Sequence, residues 1–407
     1  MAVADKDTAV EAHEARNRPR RALGVAGGVH ALQDGYTDLI YVLLPIWQAE
    51  FGLAYAAVGL LRSLFSGTMA TFQIPATLLA ERLGVTGVLA GGAALTGIAY
   101  MIAGASGGLT MLVAALIVGG LGASTQHPLA SALVSQAFTG GARIRALGTY
   151  NFAGDIGKMI VPALAAFMLT VLPWRGTVAL LGLLGCAAAI AVIALIPRET
   201  EARAPAETKV ETGPTAGKTG IAIWGFPLLL TIGVIDSATR MGFLTFLPFL
   251  LTGKGASLPM VGAALTLVFA GGAVGKLVCA FIGARIGVVA TVLLTEGFTA
   301  LGILALLPLP LYPGLVLLPL IGIALNGTSS VLYGSLPQVV APQKRSRAFG
   351  VFYTGTIGAG AVAPIVYGLL GDALGVPVAL AIVGCLVLVT LPLAIALRPA
   401  LAVGHMD

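Results

Sequence analysis

Apolar stretches long enough to cross a lipid bilayer follow one another along nearly the whole chain, and this restricts its fold more than any other feature. A helix crossing the hydrocarbon needs roughly 20 apolar residues. Such spans are expected near 22–48, 56–80, 86–106, 109–138, 145–172, 176–196, 221–251, 257–282, 287–306, 312–339, 347–370 and 376–397. In lipid every backbone N–H and C=O must bond within the protein, so runs of this length become helices. The breaks carry turn chemistry: Ser106-Gly107-Gly108, Thr139-Gly140-Gly141 and the Pro-rich 308–313. The longest polar interruption, 197–219, is charged, contains Ala, Pro and Gly, and has no apolar period, as expected of a flexible, water-exposed linker.

The predicted fold class is therefore an all-α membrane protein with twelve transmembrane helices in two pseudo-symmetric six-helix bundles. The expected divisions are an N-terminal tail (1–21), a first bundle (22–197), a linker (198–220), a second bundle (221–398) and a C-terminal tail (399–407). Composition agrees. The chain is 57% hydrophobic and only 10% charged, against about 25% charged residues in soluble domains. Its 55 glycines suit close helix packing in lipid, where small residues let backbones approach.

The net charge of +6 raises the question of nucleic acid, and the distribution of the charges answers it. Of the 23 Lys and Arg, 17 fall in the N-terminal tail, the even-numbered loops and the C-terminal tail, among them Arg82, Arg143, Arg145, Arg285, Lys344, Arg345, Arg347 and Arg398. The odd-numbered loops hold only Arg175 and Lys254. By the positive-inside rule both termini and the linker lie in the cytoplasm, and the basic balance is a topology signal. A multi-pass protein of the cytoplasmic membrane is expected, with the lipid bilayer as its surroundings, no nucleic-acid partner and a monomeric state. The first apolar run contains Asp34 and Asp38 and lacks a cleavage pattern, so it is a membrane helix and not a cleaved signal peptide. Cys186, Cys279 and Cys385 sit singly in apolar runs and are read as packing residues.

The two halves are related. A shift of 203 aligns Pro45 with Pro248, Gly52 with Gly255, Val58 with Val261, Gly59 with Gly262, Arg82 with Arg285 and Gly84 with Gly287. A shift of 202 aligns Arg-Ile-Arg-Ala-Leu-Gly (143–148) with Arg-Ser-Arg-Ala-Phe-Gly (345–350), and Pro162 with Pro364. Parallel repeats of six helices are an architecture in which a site forms at the midplane and the halves rock around it.

An ionisable group at mid-bilayer costs about 2.5–3.5 kcal/mol on insertion scales, so each one needs a reason. In the first span His30, Asp34, Asp38 and Tyr41 fall within a helical stripe about 80° wide. They form either a protonatable relay facing a cavity or a set of structural pairs. A low dielectric disfavours the charged form of a carboxylate, which suits a group that exchanges protons near neutral pH. Arg62 in the second span either pairs with Asp38 or attracts an anionic substrate. Gln126-His127-Pro128 in the fourth combines a group that titrates near physiological pH with a proline that frees a backbone carbonyl. Asp155 and Lys158 at i, i+3, and Asp236 and Arg240 at i, i+4, share helix faces and suit mutual neutralisation or substrate contact. Lys276 and Glu296 are read as gating or snorkelling residues toward the cytoplasmic side.

No HExxH and no P-loop occurs in the sequence. No enzyme activity, cofactor or bound metal is expected, and energy for any uphill transport would have to come from an ion gradient or a partner.

These residues resemble the major facilitator superfamily, and within it the fosmidomycin-resistance branch of drug exporters. The resemblance rests on His30-Ala-Leu-Gln-Asp34 followed by Leu44-Pro45 and Glu50-Phe51-Gly52-Leu53, on His127-Pro128-Leu129-Ala130-Ser131, and on Gly154-Asp155-Ile156-Gly157 with Pro162. It implies a twelve-helix fold with alternating access, proton-driven antiport of small compounds, and His30, Asp34 and His127 as cavity residues. The superfamily's cytoplasmic loop motif is present as Glu81, Arg82 and Gly84, with Thr86 and Gly87 where a basic pair belongs. Its second copy keeps Arg285 and Gly287, with Ala284 at the acidic position. The leading expectation is a proton-coupled exporter of a small drug-like or anionic compound. The alternatives are an importer of a small organic anion using Arg62, Lys158 and Arg240, and a non-transporting receptor or scaffold on a transporter fold.

Overall fold

The computed structural model describes residues 2–196, 222–341 and 344–403, so the linker expected at 198–220 and the end of the C-terminal tail lie outside the described residues. Within them every regular element is a helix. The first half holds α1 (Ala2–Phe51), α2 (Tyr55–Leu83), α3 (Val85–Gly104), α4 (Leu109–Ala123), α5 (Gln126–Ala137), α6 (Gly140–Met168) and α7 (Trp174–Leu195). The second holds α8 (Ala222–Gly253), α9 (Leu258–Ile286), α10 (Val288–Leu306), α11 (Leu311–Val339), α12 (Arg345–Leu374), α13 (Val376–Val387) and α14 (Thr390–Val403).

Among the described residues nine stretches are long and apolar enough to cross a membrane, with Leu109–Ala137 and Val376–Leu401 each counted as one. The long helices outside that set are α1, α2 and α6. They carry Asp34 and Asp38, Arg62, and Asp155 and Lys158, polar groups that lower their apolarity. α1 runs well beyond the expected span, because the polar segment before residue 22 is rich in Ala, Glu and Arg, all strong helix formers.

The repeat is written into the backbone. Gly84 alone separates α2 from α3, with φ +85°, and Gly287 alone separates α9 from α10, with φ +84°. A left-handed φ of this kind is open to glycine and strained for other residues. Gly52 and Gly255, aligned by the same shift, are also left-handed.

The chain divides into two compact units. One comprises Met1–Leu39 with Leu64–Ala206, the other Ile40–Ser63 with Glu207–Asp407. In the first, Leu89, Ala130, Leu133, Val134, Tyr150 and Val192 centre a buried apolar cluster. In the second, Leu229, Ile232, Leu332, Leu336 and Leu397 do the same. Glycines set the helix spacing in both. A Cβ at Gly97 would press on Gly182 and Cys186 across α3 and α7, and one at Gly271 or Gly275 would meet the α11 backbone at Pro319 or Ile323. Outward, large apolar side chains are bare: Ile74, Phe167, Ile190, Phe281, Leu301 and Val316 all project from their helices. Such an exterior is foreign to soluble monomers and suits contact with lipid.

Candidate functional site

α1, α5 and α6 converge on Asp34. Its carboxylate accepts from Lys158 Nζ of α6 at 3.2 Å, faces His127 Nε2 of α5 at 3.4 Å, and lies 3.7 Å from His30 Nε2 one turn earlier on α1. The Asp34 side chain is 8% exposed, whereas His127 and Lys158 remain 37% and 29% exposed. The carboxylate is thus enclosed, and its two long-range partners form the accessible side of the cluster.

Local sequence explains how these groups meet. Gly154 sits where a Cβ would collide with His30 Nε2 and come within 2.8 Å of Asp34 Oδ2. One turn on, Gly157 lets α6 lie against the backbone of Ala31, and Gly35 accommodates Val161. This glycine seam brings α1 and α6 close enough for Lys158 to reach Asp34. On the third side, Pro128 has no N–H to offer the carbonyl of Ser124, and the helix breaks at Ser124 and Thr125 between α4 and α5. His127 follows that break directly. The expectation of a locally freed backbone at Pro128 matches this discontinuity.

Tyr150 of α6 completes the pocket. Its ring stacks on His30 with centroids 4.1 Å apart, and its hydroxyl donates to the Gln126 carbonyl at 3.4 Å. The Gln126 side chain is buried with neither polar atom hydrogen-bonded. His30, Asp34 and His127 each present a potential ligand atom within 4.8 Å of one another, but the Lys158 ammonium already lies against the shared carboxylate, so the cluster holds a tethered cation where a metal would compete.

The other candidates are distributed as follows. Asp38 and Asp155 interact electrostatically with Lys158 from one turn along α1 and α6. Lys158, expected to be neutralised by Asp155, reaches Asp34 directly. Tyr41 and Arg62 belong to the second unit. The Arg62 guanidinium donates to the Tyr41 hydroxyl at 3.0 Å and lies 4.6 Å from its ring centre, while that hydroxyl donates to Met241 Sδ at 3.4 Å. Asp236 and Arg240 share a face of α8, and the Asp236 carboxyl is within hydrogen-bond reach of Glu296 on α10. Glu296 is 1% exposed, so the snorkelling expected of it is wrong: it points inward, to a carboxyl partner. Glu81, Arg82 and Arg285 are exposed beside the left-handed Gly84 and Gly287. Sequence reasoning missed the contributions of Tyr150 and of Gly154 as a spacer. An aromatic inside an apolar helix gave no signal, and Gly154 stood only within a motif. Cys186, Cys279 and Cys385 are free thiols.

Long apolar helices packed through glycine around buried titratable groups define a multi-pass membrane protein of the secondary-transporter type. The family model of the Major Facilitator Superfamily matches residues 26–232 and 229–405, and the chain belongs to that superfamily. The resemblance to the fosmidomycin-resistance branch is supported as well. The fosmidomycin resistance protein of Escherichia coli (strain K12) is 28% identical over 187 residues, 44% of this chain and 45% of that protein. A probable L-galactonate transporter of the same organism is 30% identical over 141 residues, 35% of this chain and 31% of that protein. The chain therefore spans less than half the length of each of these curated relatives. In fold it is similar to a bacterial homolog of the human lysosomal transporter Spinster, with a TM-score of 0.72 and 15% identity, covering 96% of this chain and 97% of that one.

Proposed function

We propose that this protein is a proton-coupled secondary transporter that exports a small drug-like or anionic compound across the cytoplasmic membrane. In this reading it has twelve spans in two six-helix halves, with both termini cytoplasmic, and works as a monomer by alternating access. The observation that carries the proposal is Asp34, enclosed by two histidines and a lysine drawn from three helices.

The chemistry follows from one breakable ion pair. With Asp34 ionised, Lys158 is held at 3.2 Å. A proton on Asp34 removes the charge that holds it, so the cluster has two states, closed and open. Proton and cargo each act on transport by favouring one of them, since a ligand shifts an equilibrium only through differential affinity. His127, accessible and 3.4 Å from the carboxylate, is suited to pass the proton inward. A cargo that docks on ionised Asp34 through a cationic or hydrogen-bond-donor group is displaced by the proton, which is antiport. Relatedness to a fosmidomycin resistance protein supports this export reading.

A second reading, proton-coupled uptake of a small organic anion, is favoured by Lys158 itself. A cargo anion that takes the lysine from Asp34 binds best when Asp34 is protonated, which gives co-transport. Internal pH of proteoliposomes, recorded as candidate anionic antibiotics and small organic acids are added singly, separates the two by the sign of the proton flux. Export predicts protons moving against the cargo. Flux of either sign should vanish in Asp34→Asn, and full gradient-driven transport by that variant would refute the coupling role.

A further inference from the structure

The halves repeat the contact at the Asp34 cluster but not its charge. Lys158 of α6 corresponds to Gly360 of α12 in the 202 register, and a Cβ at Gly360 would lie 2.9 Å from Ser237 Oγ. Ser237 corresponds to Asp34 in the 203 register. Where the first half sets lysine against aspartate, the second therefore sets glycine against serine. Its carboxylate is one residue earlier, at Asp236, and faces a different helix.

There Asp236, 4% exposed, meets Glu296, 1% exposed, carboxyl against carboxyl. Arg240, one turn along α8, acts on both groups. Two ionised carboxyls beside one guanidinium would leave a net negative charge in a dry interior, and a single proton removes it. α11 and α13 carry no charged residue. The charges on the other neighbouring helices are Lys276 and Arg285 of α9, Arg345, Arg347 and Asp372 of α12, and Arg398 of α14, and Asp372 is engaged by the backbone N–H groups of Tyr55 and Ala56. On α12 the buried titratable group is Tyr367, packed over Gly242.

The hydroxyls of Thr295 and Thr328 lie beside this pair. Thr295 donates to the Thr291 carbonyl at 2.9 Å, which can only accept. Thr295 can then accept from Thr328, at 2.6 Å. Each hydroxyl has one hydrogen, and Thr328, which also lies against Glu296, can turn its own toward Thr295 or toward that carboxyl. Glu296 Oε1 is itself buried without a hydrogen-bond partner. A protonated Glu296 donates to Asp236, which leaves one ionised carboxyl for Arg240 to balance. Two carboxyls in such contact cannot both ionise.

We propose that Asp236 and Glu296 form a second protonation site, in which one proton is shared between the two carboxyls and the pair is balanced by Arg240. The site stands apart from the coupling role of Asp34. The test is infrared difference spectroscopy of the full-length protein in lipid nanodiscs at neutral pH, reading the carboxylic-acid C=O band and its shift in D2O. Glu296→Gln and Asp236→Asn should each remove one such band, because either change leaves a single carboxyl that Arg240 balances. Thr328→Val, which leaves both carboxyls in place, should shift the band and not remove it. Asp34→Asn should leave it intact. A band of wild-type intensity in both carboxyl variants would overturn the proposal. So would a wild-type protein lacking the band in sodium buffer and gaining it when sodium is replaced by choline, since the cation held would then be sodium.

Discussion

Lys158→Met tests the central ion pair with a magnitude that follows from the geometry. At 3.2 Å and an effective dielectric constant of about 20, unit charges attract by about 5 kcal/mol. Removing the lysine strands a buried carboxylate, and breaking a buried pair from one side is destabilising by about 3–5 kcal/mol. His127 and His30 stay beside Asp34, so the lower part of that range is expected. The effect should not be symmetric. Asp34→Asn leaves the charge on Lys158, which is 29% exposed and can turn toward Asp38 or Asp155, so a loss of about 1–2 kcal/mol is expected within the usual spread of single substitutions. In the double variant no charge is stranded, and stability should recover to within about 1–2 kcal/mol of the parent, a coupling of about 2–4 kcal/mol, at or above the upper end of what contacting residues show. Equilibrium unfolding in mixed micelles, followed by far-ultraviolet circular dichroism on all four proteins, measures the cycle. Additive effects would show that Lys158 and Asp34 do not act on each other, and the two-state account of the cluster would fail with them.

Gly154→Ala should leave the protein folded at a cost of about 1–3 kcal/mol from overpacking, while abolishing cargo-dependent proton flux, because the new methyl displaces His30 and Asp34; retained flux would show that their spacing is not critical. Gly84→Ala and Gly287→Ala should each destabilise by about 1–3 kcal/mol, the strain of alanine in an extended, positive-φ conformation that only glycine adopts freely, readable as a lowered Tm. Tyr41→Phe keeps the ring under Arg62 and removes the hydroxyl between Arg62 and Met241, for an expected loss of about 0.5–1.5 kcal/mol in the same unfolding assay.

Much of the fold was legible because lipid removes choices. Helix ends fell at Gly52, Gly84, Gly255 and Gly287, where the repeat could be counted residue by residue. The stripe of His30 and Asp34 on one face of α1 was equally plain, since helical periodicity is a local property. The partner of Lys158 was not. Within α6 the nearest opposite charge is Asp155, three residues away, and periodicity reports only such neighbours. The reach to Asp34 depends on how closely α1 and α6 approach, which Gly154 and Gly157 decide together with residues far along the chain. Glu296 was misread for the same reason. An isolated carboxylate in an apolar run gives no sign of which way it faces, and its partner Asp236 lies on a helix distant in sequence.

The single-residue joints at Gly84, Gly287 and Gly375 bear on how such a protein can move. Consecutive Cα atoms lie about 3.8 Å apart, so a one-residue connection holds no spare chain. The helices it joins cannot slip past each other along their axes, as helices tethered by a long loop can. α9 with α10, and α12 with α13, each pair inside one unit, are then two stiff clips, each travelling as a single mechanical part. Bending inside a helix, as at the discontinuity before His127, becomes the economical way to change shape, and a disulfide engineered across either clip should leave turnover untouched.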